Sequence, residues 1–265
     1  MVLPLAEAMR GLKGDGRRAF IPFLTAGYPD LETFRSLLRH TAAADFLEIG
    51  LPFSDPIADG PTICHASEVA LAQGMHADLM FEVLAAERQR PPVIVMTYLN
   101  PVLAYGPEAF MRRARASGVQ GIIVTDLPPE DGAALLDLAA AEGIASVLLV
   151  SPTTAKERMA AIVARATGFL YCVAVTGTTG ARREVGGQAR ETVARLREIT
   201  SMPVVVGFGI STPEHVRDTC RFADGVVVGS ALVDFIRAHG RASDLPADFA
   251  ARVRELAAAA HTPDS

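Results

Sequence analysis

The stretch PVIVMTYLNPVLAYGPEAFMRRARASGVQGIIVTDLP (92–128) reads as one complete strand–helix–strand unit. Two continuously apolar runs, 92–99 and 121–128, enclose a segment that starts at Pro107 and stops at Gly118, the asymmetry of a helix. The runs lack an alternating polar face, so they suit parallel strands covered on both sides. The same kind of run recurs at 19–27, 45–52, 145–152, 168–175, 203–209 and 224–230, which makes eight. Amphipathic segments lie between them. In 30–44, Phe34, Leu37, Leu38 and Thr41 share a face, while Glu32, Arg35 and Arg39 point elsewhere. Segment 129–143 ends on glycine, and Thr212 offers an N-cap to 212–220. A doubly wound sheet would accept this alternation, but eight units in about 250 residues is the size of a closed barrel. The expectation is an α/β chain forming a (β/α)8 TIM barrel, a single domain over 1–265 with extra helices.

Two connections exceed the minimum. FSDPIADGPTICHASEVALAQG (53–74) carries an inserted helix before the one starting near Ala77, and TGTTGARREVGGQ (176–188) is rich in glycine and threonine. In a barrel both lie on the C-terminal rim, where active sites are built and long loops act as lids.

Composition removes whole classes of function. The net charge is −5, so no basic balance calls for nucleic acid or an anionic membrane. Only Lys13 and Lys156 are lysines, and neither follows a glycine in the way a phosphate-binding P-loop requires. Cys64, Cys172 and Cys220 form no CxxC pair, the six histidines offer no HExxH, and Asn100 precedes Pro101, which excludes a glycosylation sequon. The opening MVLPLAEAMRGLKGDGRR has no apolar core of a signal peptide, and no apolar run approaches membrane-spanning length. The expected address is cytoplasmic.

Glu48 is the anomaly. It sits between Leu47 and Ile49 in an apolar strand, where a carboxylate is costly unless paired or used. Whether it is structural or chemical stays open at this level. Asp59, Asp55 and Asp126 each read equally well as turn or strand-end residues. GFGIS (207–211) follows the seventh run and VVVGS (226–230) the eighth; glycines there let backbone amides approach a phosphate.

The run LEIGLPFSDPIADGPTI (47–63) resembles the signature of the tryptophan synthase α-subunit family. IPFLTAGYPD (21–30), YLNPV (98–102), DLPPED (126–131), VTGTTGAR (175–182) and GFGIS (207–211) follow in the family's order and cover essentially the whole chain. The resemblance implies cleavage of indole-3-glycerol phosphate to indole and glyceraldehyde 3-phosphate. It makes Glu48 and Asp59 the catalytic carboxylates, on a catalytic loop near 53–61, and Tyr171 an active-site tyrosine. Gly180, Gly209, Gly229 and Ser230 match phosphate-binding positions. Phe23, Ile63 and Phe208 match the walls around the indole ring. Thr179 matches a threonine of the lid near 176–188 that meets the catalytic aspartate. No cofactor is implied in this chain; pyridoxal phosphate belongs to a partner β subunit, in an α2β2 heterotetramer. Cys64 and Val69 depart from the glutamine and arginine usual in the family, which leaves a freestanding lyase releasing indole as the alternative.

The implied chemistry suits the two acids. Protonating C3 of indole creates the electron acceptor that lets the C3–C3′ bond break. A neutral Glu48 can supply that proton and take the one on the C3′ hydroxyl, while an ionised Asp59 accepts the N1–H. A Schiff-base aldolase would need a lysine at a strand end, and Lys156 lies past one. A sugar-phosphate isomerase would not require the 47–63 segment, and a non-catalytic activator would not need both carboxylates.

Overall fold

A computed structural model of the chain describes residues 4–173, 182–207, 209–240 and 242–262. Its strands are β1 (Ala19–Thr25), β2 (Leu47–Gly50), β3 (Val93–Thr97), β4 (Val119–Val124), β5 (Ala145–Ser146), β6 (Leu148–Val150), β7 (Leu170–Cys172), β8 (Val204–Val206) and β9 (Gly225–Val228). They form one sheet in the order β5-β4-β3-β2-β1-β9-β8-β7-β6, and every pair is parallel. The two ends of that order, β5 and β6, are separated only by Val147. They are halves of the expected fifth strand, which pairs with β4 on one side of Val147 and with β7 on the other. The sheet is therefore a nearly closed barrel with eight strand positions.

The helices cover it through the faces that periodicity indicates. Helix Leu31–Arg39 buries Phe34, Leu37 and Leu38, and Asp30 caps it by accepting from the Thr33 amide at 2.9 Å. Thr41 lies beyond the helix end, buried, with its hydroxyl donating to the Leu38 carbonyl at 2.7 Å. Thr212 caps Pro213–Cys220 as expected. Two boundaries differ from the sequence reading. Residues 129–132 form a turn on the Pro128 carbonyl, so that helix runs Ala133–Ala141. The third strand stops at Thr97, and Leu99–Tyr105 is a short helix that tolerates Pro101 in its first turn.

The barrel floor is closed by the first helix, Leu5–Gly14, whose Leu5 and Met9 are buried. A Cβ at Gly121 or Gly168 would stand 3.0 or 3.1 Å from Leu5 Cδ2, so the strands leave room for that plug. Two aspartates tie the floor to the strand starts. Asp45 accepts from the Phe20 amide at 2.9 Å and pairs with Arg17 and His261, each at 2.9 Å. Asp224 accepts from the Val204 amide at 2.8 Å and from Lys13 at 2.8 Å, and also from Arg197. Burial alone would raise the Asp224 carboxyl, but the bonds from Arg197, Lys13 and the Val204 amide outweigh it and hold it below its ordinary value.

A carboxyl held below its unfolded value contributes stability above that value and loses it as pH falls through the folded one. Asp224→Asn should therefore cost about 2–4 kcal/mol at pH 7. Much of that difference should vanish as pH falls below the ordinary carboxyl range and through the lowered folded value, where Asp224 too becomes neutral. Lys13→Ala, removing a half-exposed partner, should cost about 1 kcal/mol or less. Urea unfolding across pH 3–7 measures all three.

Candidate active site

Glu48 stands in β2 opposite Phe23 of β1 and Ile94 of β3. Partners in parallel strands share a face, and the fields of Asp59 and Tyr171 reach this position, so the shared face is the barrel interior. The residue is 1% exposed and its Oε2 is buried without a hydrogen-bond partner. Burial first, and then the charge of Asp59, push the Glu48 carboxyl up to about 8. The group is a neutral acid at pH 7.

Asp59 lies half-buried at the end of the connection from β2 to helix Pro61–Ala72. Burial raises its carboxyl as well, while a hydrogen bond from the Tyr98 hydroxyl opposes the rise. Tyr98 follows β3 directly. Its hydroxyl accepts from the Ala58 amide at 3.1 Å, and its ring packs against Phe53 with centroids 5.2 Å apart. Burial chiefly, with the charge of Asp59 adding to it, lifts the Tyr98 hydroxyl to about 12, so it stays a donor. Asp126, at the end of the neighbouring strand, accepts from the Leu99 amide at 2.7 Å and holds the chain just past Tyr98. Both carboxyls are raised, but only Asp59 has a donor that opposes the rise, and that difference separates the two as acid–base division requires.

The opposite wall is built by β7 and β8. Tyr171 is buried, its hydroxyl donates weakly to the Gly207 carbonyl at 3.4 Å, and burial followed by the charges of Glu48 and Asp59 raise its pKa well above the ordinary value. A Cβ at Gly207 would fall 2.0 Å from the Tyr171 oxygen, so only glycine fits there. Gly50 is constrained in the same way by the Phe23 ring, 2.6 Å from where its Cβ would be. At the far end, Gly209 has φ +70°, and Gly229 precedes the ten-residue helix Ser230–His239, which has no side-chain cap at its N-terminus. Its first amides are therefore open to an acceptor.

The structure brings Phe23, Glu48, Asp59 and Tyr171 around one interior space, with Gly229 against Phe23: a Cβ at Gly229 would stand 3.8 Å from the Phe23 Cβ. Ile63, in the first turn of helix Pro61–Ala72, packs half-buried against the core. Thr179, Gly180 and Phe208 lie outside the described residues, as does 176–181 of the expected lid. The rest of that lid is a correction. Residues 182–188 open the helix Arg182–Arg197, whose buried Ala189, Val193 and Leu196 outweigh the low helix propensity of its glycine pair. Tyr98 and Gly207 were not singled out from the sequence, and Asp126 read there only as a turn or strand-end residue, although all three fall within runs that match the family. Cys64 contacts the site's backbone, its thiol 3.5 Å from the Asp59 carbonyl, and Val69 packs half-buried on the core. Among the described residues no group of three or more His, Cys, Asp or Glu could hold a metal ion.

Residues 9–261 match the family model described as tryptophan synthase alpha chain. The tryptophan synthase alpha chain of Gloeobacter violaceus is 47% identical over 237 residues, 88% of this chain and 86% of its own. That of Picosynechococcus sp. is 42% identical over 257 residues, 95% of this chain and 96% of its own. The solved tryptophan synthase subunit alpha of Legionella pneumophila superposes with a TM-score of 0.89 at 34% identity, covering 97% of this chain and 98% of that one. A solved Mycobacterium tuberculosis tryptophan synthase gives 0.89 at 34%, covering 98% and 99%.

The raised Glu48 carboxyl has a cost that can be measured. Below about pH 4.5 the group is neutral in folded and unfolded chains alike; between 4.5 and about 8 only the unfolded chain ionises, so stability falls as pH rises and then levels off. Glu48→Gln removes this penalty and should stabilise the fold by roughly 3 kcal/mol at pH 7, with no gain at pH 4. Denaturant unfolding at both pH values checks the sign.

Proposed function

The chain belongs to the tryptophan synthase alpha chain family, and we propose that Glu48 and Asp59 carry the family's cleavage of indole-3-glycerol phosphate. The reaction yields indole and glyceraldehyde 3-phosphate by a retro-aldol step. Its difficulty is that the indole ring must accept the electrons of the breaking C3–C3′ bond. Glu48, neutral at pH 7, gives its proton to C3 and turns the ring into an indoleninium cation. The resulting carboxylate takes the proton from the C3′ hydroxyl as the bond breaks and the aldehyde forms, which returns Glu48 to its starting state. Asp59 accepts the indole N1–H and offsets the positive charge on the ring. The single observation that carries this reading is the buried Glu48, without a partner on its Oε2 among the described residues, beside a second carboxyl that has its own donor, Tyr98.

Tyr171 closes the interior behind Glu48, and Phe23 and Ile63 give the indole ring apolar walls. The uncapped helix start at Gly229–Ser230, together with Gly209, supplies amides for the phosphate, which anchors the glycerol arm and fixes the reacting carbons. Gly180, Thr179 and Phe208 are assigned to the same ligand by their match to the family alone. We read residues 1–265 as one catalytic unit, in keeping with the single sheet and continuous core of the described residues.

A β subunit is the proposed partner, in an α2β2 assembly, with pyridoxal phosphate carried by that subunit. Two exposed apolar side chains support a docking surface on the active rim: Ile57 in the catalytic loop, 81% exposed, and Leu103 just past Tyr98, 54% exposed. Neither lysine is at the site, since Lys13 pairs with Asp224 and Lys156 with Glu198. No described helix is long and apolar enough to cross a membrane, in keeping with a cytoplasmic address.

The test is direct. The purified chain, given indole-3-glycerol phosphate, should release indole, and faster with a β subunit present. Glu48→Gln should lower turnover by 10²-fold or more (a proton shuttle supplies roughly 10²–10⁴-fold), and a variant near wild-type activity overturns the mechanism. Asp59→Asn should lose about 10²-fold, and a loss under about tenfold reduces Asp59 to positioning. Because the acid form of Glu48 starts the reaction, kcat/KM should fall as pH rises through about 8. A profile flat from pH 7 to 9 contradicts that role.

A further inference from the structure

Among the described residues, six buried side-chain atoms have no hydrogen-bond partner: Thr25 Oγ1, Arg35 Nε, Glu48 Oε2, Arg90 Nε, Ser117 Oγ and Arg217 Nε. Three are single nitrogens of arginines, and Ser117 follows helix Pro107–Ala116 at the start of β4, on the floor side. Thr25 and Glu48 remain. Both lie on strands at the interior, and a native structure leaves such groups orphaned where something absent completes them.

The position of Thr25 follows from register. Phe23 faces the interior opposite Glu48, and alternation turns Thr25, two residues on, to the same face and one layer nearer the rim. Its partner in β2 is Gly50, which has no side chain to answer the hydroxyl. On its other side β1 pairs with β9 through Pro22↔Val228, so Thr25 lies just above the level of Gly229. Thr25 is thus on the strand flanked by that of the carboxyl at which the bond breaks and by that leading to the helix start assigned to the phosphate, one layer nearer the rim than both. It is 3% exposed.

We infer that Thr25 is a substrate-binding residue whose hydroxyl bonds to the C2′ hydroxyl of the glycerol arm. The inference rests on the reaction proposed above and adds a contact that it does not require. The C2′ hydroxyl is the one polar group of the arm that neither the carboxyls nor the phosphate anchor engages. An orphaned hydroxyl on the interior wall beside it gives it a partner and restores the bond that Thr25 lacks without ligand. The contact would make the site select for a hydroxylated arm, since a group built to bond a substrate hydroxyl penalises the analogue without one.

The experiment is a cycle of two changes, Thr25→Val in the full chain and 2′-deoxy-indole-3-glycerol phosphate in place of the substrate. Valine keeps the shape and removes the orphan, so the variant should unfold at the same temperature as wild type or higher. On the natural substrate its kcat/KM should drop roughly 10- to 100-fold, and on the 2′-deoxy analogue it should match wild type. Thr25→Ser should recover most of the loss. Full activity of Thr25→Val on the natural substrate overturns the assignment. So does an equal loss on both substrates, which would mean that the hydroxyl acts elsewhere. Wild-type chain that makes no indole from the natural substrate removes the functional reading itself, a result distinct from either.

Discussion

Holding Glu48 in the barrel interior with no cation beside it among the described residues favours the neutral carboxyl, and the rest of the site answers that constraint. The charge of Asp59 close by raises the Glu48 carboxyl further, and Tyr98, by donating to Asp59, opposes the rise that burial imposes on that second carboxyl. Tyr98 in turn needs a fixed backbone, which Asp126 provides through the Leu99 amide. Tyr171 completes the enclosure and can occupy its place only because residue 207 has no side chain. Each of these residues has a reason that leads back to one uncompensated acid.

The two ends of the barrel treat polar groups in opposite ways. On the floor, Asp45 and Asp224 are saturated with partners, tying strand starts to the first and last helices through Lys13, Arg17 and His261. Toward the rim, Thr25 and Glu48 are left unsatisfied. Stability is concentrated where no ligand goes, and the penalties are concentrated where a ligand can relieve them. Substitutions should divide accordingly: those on the floor weaken the fold, whereas those at the interior orphans weaken function while relieving the fold.

Much of this was legible in the chain. Continuous apolar runs and capped amphipathic segments gave the strands and helices, because periodicity and cap chemistry are local properties. Glu48 stood out because a carboxylate between Leu47 and Ile49 breaks the pattern of its own strand. Asp59 did not stand out, since an aspartate in DPIADGP satisfies every rule for a turn; only its match to a family signature separates it. Tyr98 and Asp126 act through bonds between neighbouring strand ends, which local sequence does not express. Thr25 is an unremarkable strand residue until register shows that its opposite number is a glycine. The division of the fifth strand at Val147 and the start of a helix at Arg182 depend on partners distant in sequence, and periodicity is silent about both.

That division at Val147 has a consequence for how the chain could be taken apart. The sheet is two half-barrels, β1–β5 and β6–β9, joined on one side by the pairing of β1 with β9 and on the other by the chain through Val147 and by bonds between Ser146 and the Thr167–Gly168 turn, with no β5–β6 ladder. The first half carries Glu48, Asp59, Tyr98 and Thr25; the second carries Tyr171 and the glycine-lined helix start. A cut at this seam would leave the proposed acid–base pair on one fragment and the proposed phosphate anchor on the other, each with its own helices. The seam is thus a natural joint for building split or hybrid barrels, in which reactivity and substrate handle are inherited from different parents.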